Sequence, residues 1–457
     1  MRGLKSTSLL GVVLVALAAY IFLVENKKPA DGPKKTKAWG IDGSTIVDVT
    51  IHLATGDTTR LQKNNGVWSV VEPVRATADE AVIASIVNGL AGLEIERVLE
   101  ENPAGLKDFG LEPARVEVTF KTGGDPAEKR LRLGEKTPGS GEIYAQTDRS
   151  KAVVLVASFL ENSFTKGTFE LREKSILKFD RTKADGLEIA YGTTTLAFSK
   201  SGDVDWSMSK PFAARGEFAA IDGAISALAS TQVQKFVVDD DRNTTPSGAD
   251  KVDNARYPRD LKRYGLDKPE MTVTLKSEGK TQTLTIGGAV DGTRYATRSS
   301  SPGIFTVGNN LLTDLRKGGD EFRRKDLFDF RAFTANRIEV ARGTDTLVLE
   351  KVKGKDTTTP DNWKSGSGTT TDAMKAEDPL LKVTSLRADT FVPAVPAAFK
   401  TPTAVVTAKF DDSKKTEVVK VFVKDADVFA TREGEPGAAK ITRTAWDEAL
   451  KALDSLK

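Results

Sequence analysis

The sequence has no cysteine and one histidine, His52. Without cysteine there are no disulfides and no thiolate metal sites, although the redox compartment stays open. With a single histidine, Ser-His-Asp systems, His-ligated zinc and His relays are excluded unless they run through His52. That residue alternates with Ile51 and Leu53, the pattern of a solvent-facing or edge strand position. There is no Gly-Lys-Ser/Thr phosphate loop and no Gly-x-Ser-x-Gly elbow, and Gly123-Gly124 and Gly287-Gly288 read as turn glycines at strand ends. Neither sign of charge prevails: 67 basic residues face 64 acidic ones, for a net charge of +3. Nucleic acid needs a concentrated basic face, so no nucleic-acid partner is expected. No cofactor is expected either.

What is present begins with one long apolar run, Leu9 to Val24. Uncharged Ser6-Thr7-Ser8 extends it close to the ~20 residues that span a bilayer. Ala16-Leu-Ala18 fits a signal-peptidase site, but Tyr20 to Val24 continues the run past it, which favours an uncleaved anchor. The Lys count after the run would hold the C-terminal side inside. Against that, the short basic head of Arg2 and Lys5 has the layout of a signal-anchor that exports the chain on its C-terminal side. The expectation is a single-pass protein of the bacterial inner membrane, contacting the membrane through this helix, with its bulk periplasmic. Residues 26–37, rich in Lys, Pro and Gly, read as a linker.

The remainder can be written three times over. Each pass opens with a hairpin: Ile46–Ile51 to Trp68, Gly186–Ile189 to Trp206, and Arg337–Val340 to Trp363. The repeated tryptophans read as core packing. A helix follows, with Thr77-x-x-Glu80 as a capping box and Val82, Ile83, Ile86, Val87, Leu90 and Leu93 as its stripe in the first pass. Ile221, Ile225 and Leu228 repeat the stripe in the second, and Asp378-Pro379 is expected to start the helix in the third. Next come Leu106-Lys-Asp-Phe109-Gly110-Leu111 and Leu261-Lys-Arg-Tyr264-Gly265-Leu266, where Gly after an aromatic predicts a residue at positive φ. The third pass keeps only Phe399-Lys-Thr-Pro402. Ile143-Tyr144-Ala145, Arg294-Tyr295-Ala296 and Val428-Phe429-Ala430 mark the last strands. Residues 351–371 read as a mobile insertion loop.

The anchor, the hairpin Trp with a nearby Pro (Trp68 and Pro73, Trp206 and Pro211), the aromatic-Gly-Leu turn and the Tyr-Ala strand together resemble the bacterial domain of unknown function DUF4340. The resemblance covers the first two passes well and the third weakly. It implies no reaction and carries over no catalytic residue. Some members are encoded beside ABC-transporter components of the gliding-motility type, which implies an accessory role in the envelope.

Two groups of residues invite chemistry. Asp239, Asp241, Asn243 and Asp250 echo a calcium loop, but Thr244 stands where that loop needs Gly and Asp250 where it needs Glu. Arg149, Arg298 and Arg432 recur at matching places, as do Arg172 and Arg323. They read either as ion pairs at unit junctions or as a basic row for an anionic partner. The fold expected is α+β: a transmembrane helix, then three units, each a mostly antiparallel sheet with about two helices. The divisions are 1–8 (tail), 9–24 (anchor), 25–40 (linker), 41–180, 181–331 and a shortened 332–457. The function expected is a non-enzymatic scaffold or accessory subunit of an envelope complex with a protein partner. The alternatives are a glycan-, peptidoglycan- or lipid-binding module and, further off, a hydrolase working by carboxylates alone.

Overall fold

The computed structural model describes residues 36–139, 141–239, 261–355 and 361–456. The expected anchor over residues 9–24 lies outside the described residues. Among those residues no helix is long and apolar enough to cross a membrane.

The first repeat contains β1 (Thr36–Lys37), β2 (Ile46–Leu53), β3 (Thr58–Asn64), β4 (Val67–Glu72), β5 (Ala76–Thr77) and α1 (Glu80–Ala91). It continues through β6 (Glu94–Ile95), β7 (Arg97–Glu100), β8 (Val116–Thr122), β9 (Asp125–Lys136), β10 (Glu142–Thr147) and β11 (Val153–Ala157) to the short α2 (Glu161–Phe164) and α3 (Thr168–Leu171). The second repeat contains β12 (Ala184–Tyr191), β13 (Thr194–Ser201), β14 (Asp205–Lys210), β15 (Ala214–Arg215), α4 (Phe218–Ser230) and β16 (Lys235–Val238). Then come β17 (Met271–Ser277), β18 (Lys280–Val290), β19 (Thr293–Arg298), β20 (Ser301–Gly308), α5 (Asn309–Leu315) and α6 (Gly319–Phe322). The third contains β21 (Ala335–Arg342), β22 (Asp345–Val352), β23 (Asn362–Ser365), β24 (Thr370–Asp372), α7 (Ala373–Thr384) and β25 (Thr390–Val392). It ends with β26 (Ala404–Phe410), β27 (Lys415–Lys424), β28 (Asp427–Arg432), β29 (Ala438–Ile441) and α8 (Arg443–Asp454).

Among the described residues, each repeat forms one nine-stranded sheet with the same order, β5-β4-β3-β2-β8-β9-β10-β11-β7 in the first and its equivalents in the others. All of the pairings are antiparallel. By its contacts the chain divides into two compact units. The first comprises residues 1–174 with 239–252 and holds the first sheet. The second comprises residues 175–238 with 253–457 and holds the other two.

Alternation along the strands puts one face of each sheet under helices. In the first repeat Val49, Ile51, Leu61, Val118, Phe120, Leu131 and Leu133 meet Ile83, Ile86 and Leu90 of α1 in one buried cluster. The cap of α1 is Asp79, whose carboxylate accepts from the amides of Ala81 and Val82, both at 3.1 Å. Thr77, expected to open a capping box, is the last residue of β5 instead. The helix of the third repeat starts at Ala373 behind its cap Asp372. Asp378-Pro379 therefore lies inside it; Pro379 is buried in the apolar face, and its missing N–H is tolerated there. The insertion expected as a loop contributes β23 and β24, which pair through Trp363 and Thr371.

The aromatic-Gly-Leu turn covers part of the other face. Tyr144 alternates with the core residues Ile143 and Ala145, and Phe109 packs edge-on against it at 5.2 Å. Tyr264 and Tyr295 repeat that contact at 4.7 Å, and Phe399 and Phe429 at 5.1 Å. Gly110 and Gly265 have φ of 63° and 68°, the left-handed conformation the sequence predicts. A second glycine faces each turn. A Cβ on Gly134 would stand 2.0 Å from the Phe109 carbonyl oxygen, and one on Gly287 2.5 Å from that of Tyr264. Gly287 and Gly288 lie within β18 at a bulge, not at a strand end. The pairs Leu133–Val116, Ile286–Met271 and Val421–Ala404 align Gly134 and Gly287 with Phe422. The third repeat has thus lost both glycines of the motif together while keeping its aromatic contact.

Candidate functional site

The strands carry the recurrent arginines to their ends, and what those arginines touch decides their role. Arg432 ends β28. It reaches Asp329 Oδ2 at 2.8 Å and the Leu327 carbonyl at 3.0 Å, and it pairs with Glu417. Arg298 ends β19, donates to the Ser175 carbonyl and lies over the Phe305 ring at 5.5 Å. Both side chains thus grip the peptide that enters their own repeat. Arg149 is exposed in the turn after β10. Cross-strand pairing places Thr147, not Arg149, at the position of Arg298 and Arg432: Thr147 faces Leu131 as Arg298 faces Leu284 and Arg432 faces Val419. Counting from the shared Tyr-Ala or Phe-Ala pair gives this register. In the first repeat the entering peptide is held by other means, the Trp39 indole donating to Asp148 at 2.9 Å.

The entering peptides share one design. Ala38-Trp39, Ile176-Leu177 and Leu327-Phe328 are buried, and each precedes its repeat's first long strand. Lys37 of β1 pairs with Glu94 of β6, Ser175 bridges Gln232, and Asp326 bridges Arg387, so the entering peptide meets the residues after the helix in the same way three times. Two-residue strands carry no periodicity, so the sequence does not disclose this.

In the second unit the segment leaving the second repeat and entering the third is bound by a dense charge cluster. Arg215 reaches Glu435 Oε1 at 2.5 Å, Asp329 Oδ1 at 2.6 Å and the Asp326 carbonyl at 2.7 Å. Arg323 reaches Glu435 Oε2 at 3.0 Å and stacks on Phe391 at 4.0 Å. Glu417, buried, accepts from the amides of Asp329 at 3.0 Å and Phe330 at 2.9 Å. Arg387 pairs with Asp326 at 2.8 Å. Burial pushes the Asp329 carboxyl up, but Arg215 and Arg432 beside it outweigh that and hold it below the ordinary carboxylate value. The Arg215 guanidinium loses hydration by burial, and Glu435 and Asp329 more than restore its charge. Charges matched in this way fasten chain to chain. They present no unpaired nucleophile or base.

The uncovered parts of the first and third sheets form shallow polar hollows of about 400 and 630 Å³. In the first, Asp48 pairs with Arg60 at 2.8 Å and Glu117 with Arg132 at 2.8 Å. His52 lies there, exposed, its Nδ1 2.8 Å from the Thr58 hydroxyl. Arg337, Glu339, Glu350 and Lys351 line the second. Of the calcium candidates, Asp241, Asn243 and Asp250 lie outside the described residues, and Asp239 pairs with Arg172 at 2.6 Å in the first unit. Among the described residues no group of three or more acidic or histidine side chains is placed to hold a metal ion.

Fold and contacts together define a three-repeat antiparallel-sheet protein whose recurrent charges hold the repeats' connecting segments. A family model for the domain of unknown function DUF4340 matches residues 68–252 and 245–412. The chain belongs to that family. No curated protein matches it. Solved structures aligned to it include DNA polymerase sliding clamps from Pseudomonas aeruginosa. Both are 8% identical, with TM-scores of 0.14 and 0.15, and the alignments cover 89% and 88% of this chain and 93% and 91% of theirs. A putative DNA polymerase III beta subunit from Eubacterium rectale is 8% identical with a TM-score of 0.13, covering 90% of this chain and 93% of that one.

Proposed function

We propose that this protein is a membrane-anchored, extracytoplasmic scaffold, an accessory subunit of an envelope complex of the ABC-transporter kind, acting on a protein partner without catalysing a reaction. The observation that carries the reading is the use of charge. Arg215, Arg298, Arg323 and Arg432 hold connecting peptides, and the cluster around Asp329 and Glu435 binds two repeats into one body. Rigid repeats joined in this way suit a surface that others assemble on. The carboxylates of the first hollow are paired with arginines, which disfavours their use as acid and base.

The test is affinity capture of the full chain from detergent-solubilised membranes. One reproducible envelope protein should be recovered, and recovery of none, with the tagged chain intact, would overturn the reading. An alkaline phosphatase fusion after residue 40 should be active; an inactive fusion would place the bulk inside. Glycan or lipid binding remains the second reading, with the polar hollow around Arg337 and Glu350 as its site. Retention of the chain on peptidoglycan or anionic vesicles, lost in Arg337→Ala, would favour it.

A further inference from the structure

The first two repeats cover one sheet edge in the same way, and in the third no described residue covers the matching edge. Beyond α3, the peptide leaving the first repeat lies along β5. The Asp79 amide donates to the Leu171 carbonyl at 2.9 Å, the Glu173 amide to the Thr77 carbonyl at 3.0 Å, and Ala78 bridges Arg172. Beyond α6, the peptide leaving the second repeat lies along β15. The Glu217 amide donates to Phe322 at 2.7 Å, Arg324 donates to Arg215 at 2.8 Å, and Gly216 bridges Arg323. The two covering peptides are Glu170-Leu-Arg-Glu-Lys174 and Glu321-Phe-Arg-Arg-Lys325. Each is apolar at its second residue and Lys at its fifth. The fifth residue of each reaches the acid at the helix start in a different way: Lys174 Nζ is 3.6 Å from the Asp79 carboxylate, whereas Lys325 donates its backbone N–H to the Glu217 carboxylate at 3.4 Å.

In the third repeat β24 takes the place of β5 and β15. The alignment rests on the tryptophans: Ala78 donates to Trp68, Gly216 to Trp206, and Thr371 pairs with Trp363. Thr371 therefore bonds inward. The Asp372 N–H and the Thr370 carbonyl face outward, as those of Asp79 and Thr77 do. Among the described residues no backbone group bonds them. Asp372 is the third acidic cap in the series and has no cation paired with it among the described residues. Two residues on, Met374 is 79% exposed where the other repeats have Ala81 and Ala219.

We propose that the outer edge of β24 is a docking strand for an extended segment of a partner protein, added antiparallel, carrying an apolar residue followed three positions later by lysine. The partner's backbone would bond to Asp372 N–H and Thr370 C=O, its lysine would meet the Asp372 carboxylate, and its apolar residue would pack on Met374. This is strand addition, with the main chain giving affinity and the side chains specificity. The occupant is inferred from what the same chain places on the same edge twice. The proposal rests on the scaffold reading for the existence of a protein partner.

The probe is a fluorescein-labelled peptide with the sequence of residues 168–176, titrated into the full chain and followed by anisotropy. Saturable binding is expected. Asp372→Pro, whose φ of −58° suits proline, removes both the outward N–H and the carboxylate and should weaken binding at least about tenfold, the worth of roughly one hydrogen bond or more, and Asp372→Asn, which keeps the N–H, should weaken it less. Replacing the peptide's lysine with glutamine should weaken it too. Should Asp372→Pro unfold the helix by circular dichroism, slowed amide exchange at Asp372 on adding peptide to the native chain decides instead. Absence of saturation, equal binding by a folded Asp372→Pro chain, or an Asp372 amide whose exchange the peptide leaves unchanged overturns the proposal. So does sedimentation showing a dimer of the native chain that Asp372→Pro dissociates, which would make a second copy the occupant. If affinity capture still recovers its partner with Asp372→Pro, the scaffold reading stands and only this docking site falls.

Discussion

Gly134 sits with its α-carbon against the turn formed by Phe109 and Gly110, and among the described glycines it is the one an added Cβ would press closest to another atom. A methyl group there meets a backbone carbonyl oxygen at 2.0 Å, an obstacle no rotamer relieves. Gly134→Ala is expected to lower the stability of the first repeat by about 2–3 kcal/mol, at the upper end of overpacking costs. Gly124→Ala, with nothing within 4 Å of the added carbon, should be near neutral. Thermal unfolding of the two variants side by side checks this. Asp329 gives a prediction of pH dependence. Its carboxyl is held below the ordinary value, so the unfolded chain binds the proton more readily. The stability it contributes is complete above the ordinary carboxylate range near pH 4 and is lost as pH falls through the lower, folded value. Asp329→Asn should therefore lower the melting temperature at neutral pH, and the gap from the native chain should narrow on acidification. A gap constant with pH would contradict the assignment.

At the level of elements, the sequence disclosed what periodicity and aromatic spacing can encode. The hairpin tryptophans, the stripe of α1 and the positive φ of Gly110 and Gly265 follow from local chemistry and are present. Helix starts were less legible. Thr77 and Asp378 each looked like a cap, but tertiary pairing draws Thr77 into β5, and the third helix begins at Ala373, ahead of Asp378. Asp79→Ala should cost about 1 kcal/mol by removing the cap that two amides use, read as a fall in the melting temperature of the first repeat. The recurrent arginines were legible as residue types but not in register. Arg149 lies past the site that Arg298 and Arg432 share, and Thr147 fills that site. The covering peptides Glu170–Lys174 and Glu321–Lys325 are legible as a recurring sequence, but the edge each one pairs with is not, and the entering peptides leave no trace, since contacts between segments far apart in the chain carry no periodicity.

At the level of the molecule, the two compact units predict more than one calorimetric transition, because units with separate cores melt separately. Glu435→Gln strips Arg215 and Arg323 of their shared carboxylate. Breaking a buried pair costs about 3–5 kcal/mol. The loss should appear in the transition of the unit containing the second and third sheets and leave the other unchanged. Equal shifts in both would show that the cluster does not act within one unit.

The entering peptides have a consequence for synthesis. Trp39 completes the first core, Ile176 and Leu177 the second, and Leu327 and Phe328 the third, and in each case the completing residues precede the sheet they fill. A chain made from its N-terminus thus carries each core's last piece before that core begins to form. No repeat waits on a later one to close its hydrophobic interior. A ribosome delivering this protein can leave finished repeats behind it one at a time, with little apolar surface exposed while the next is made.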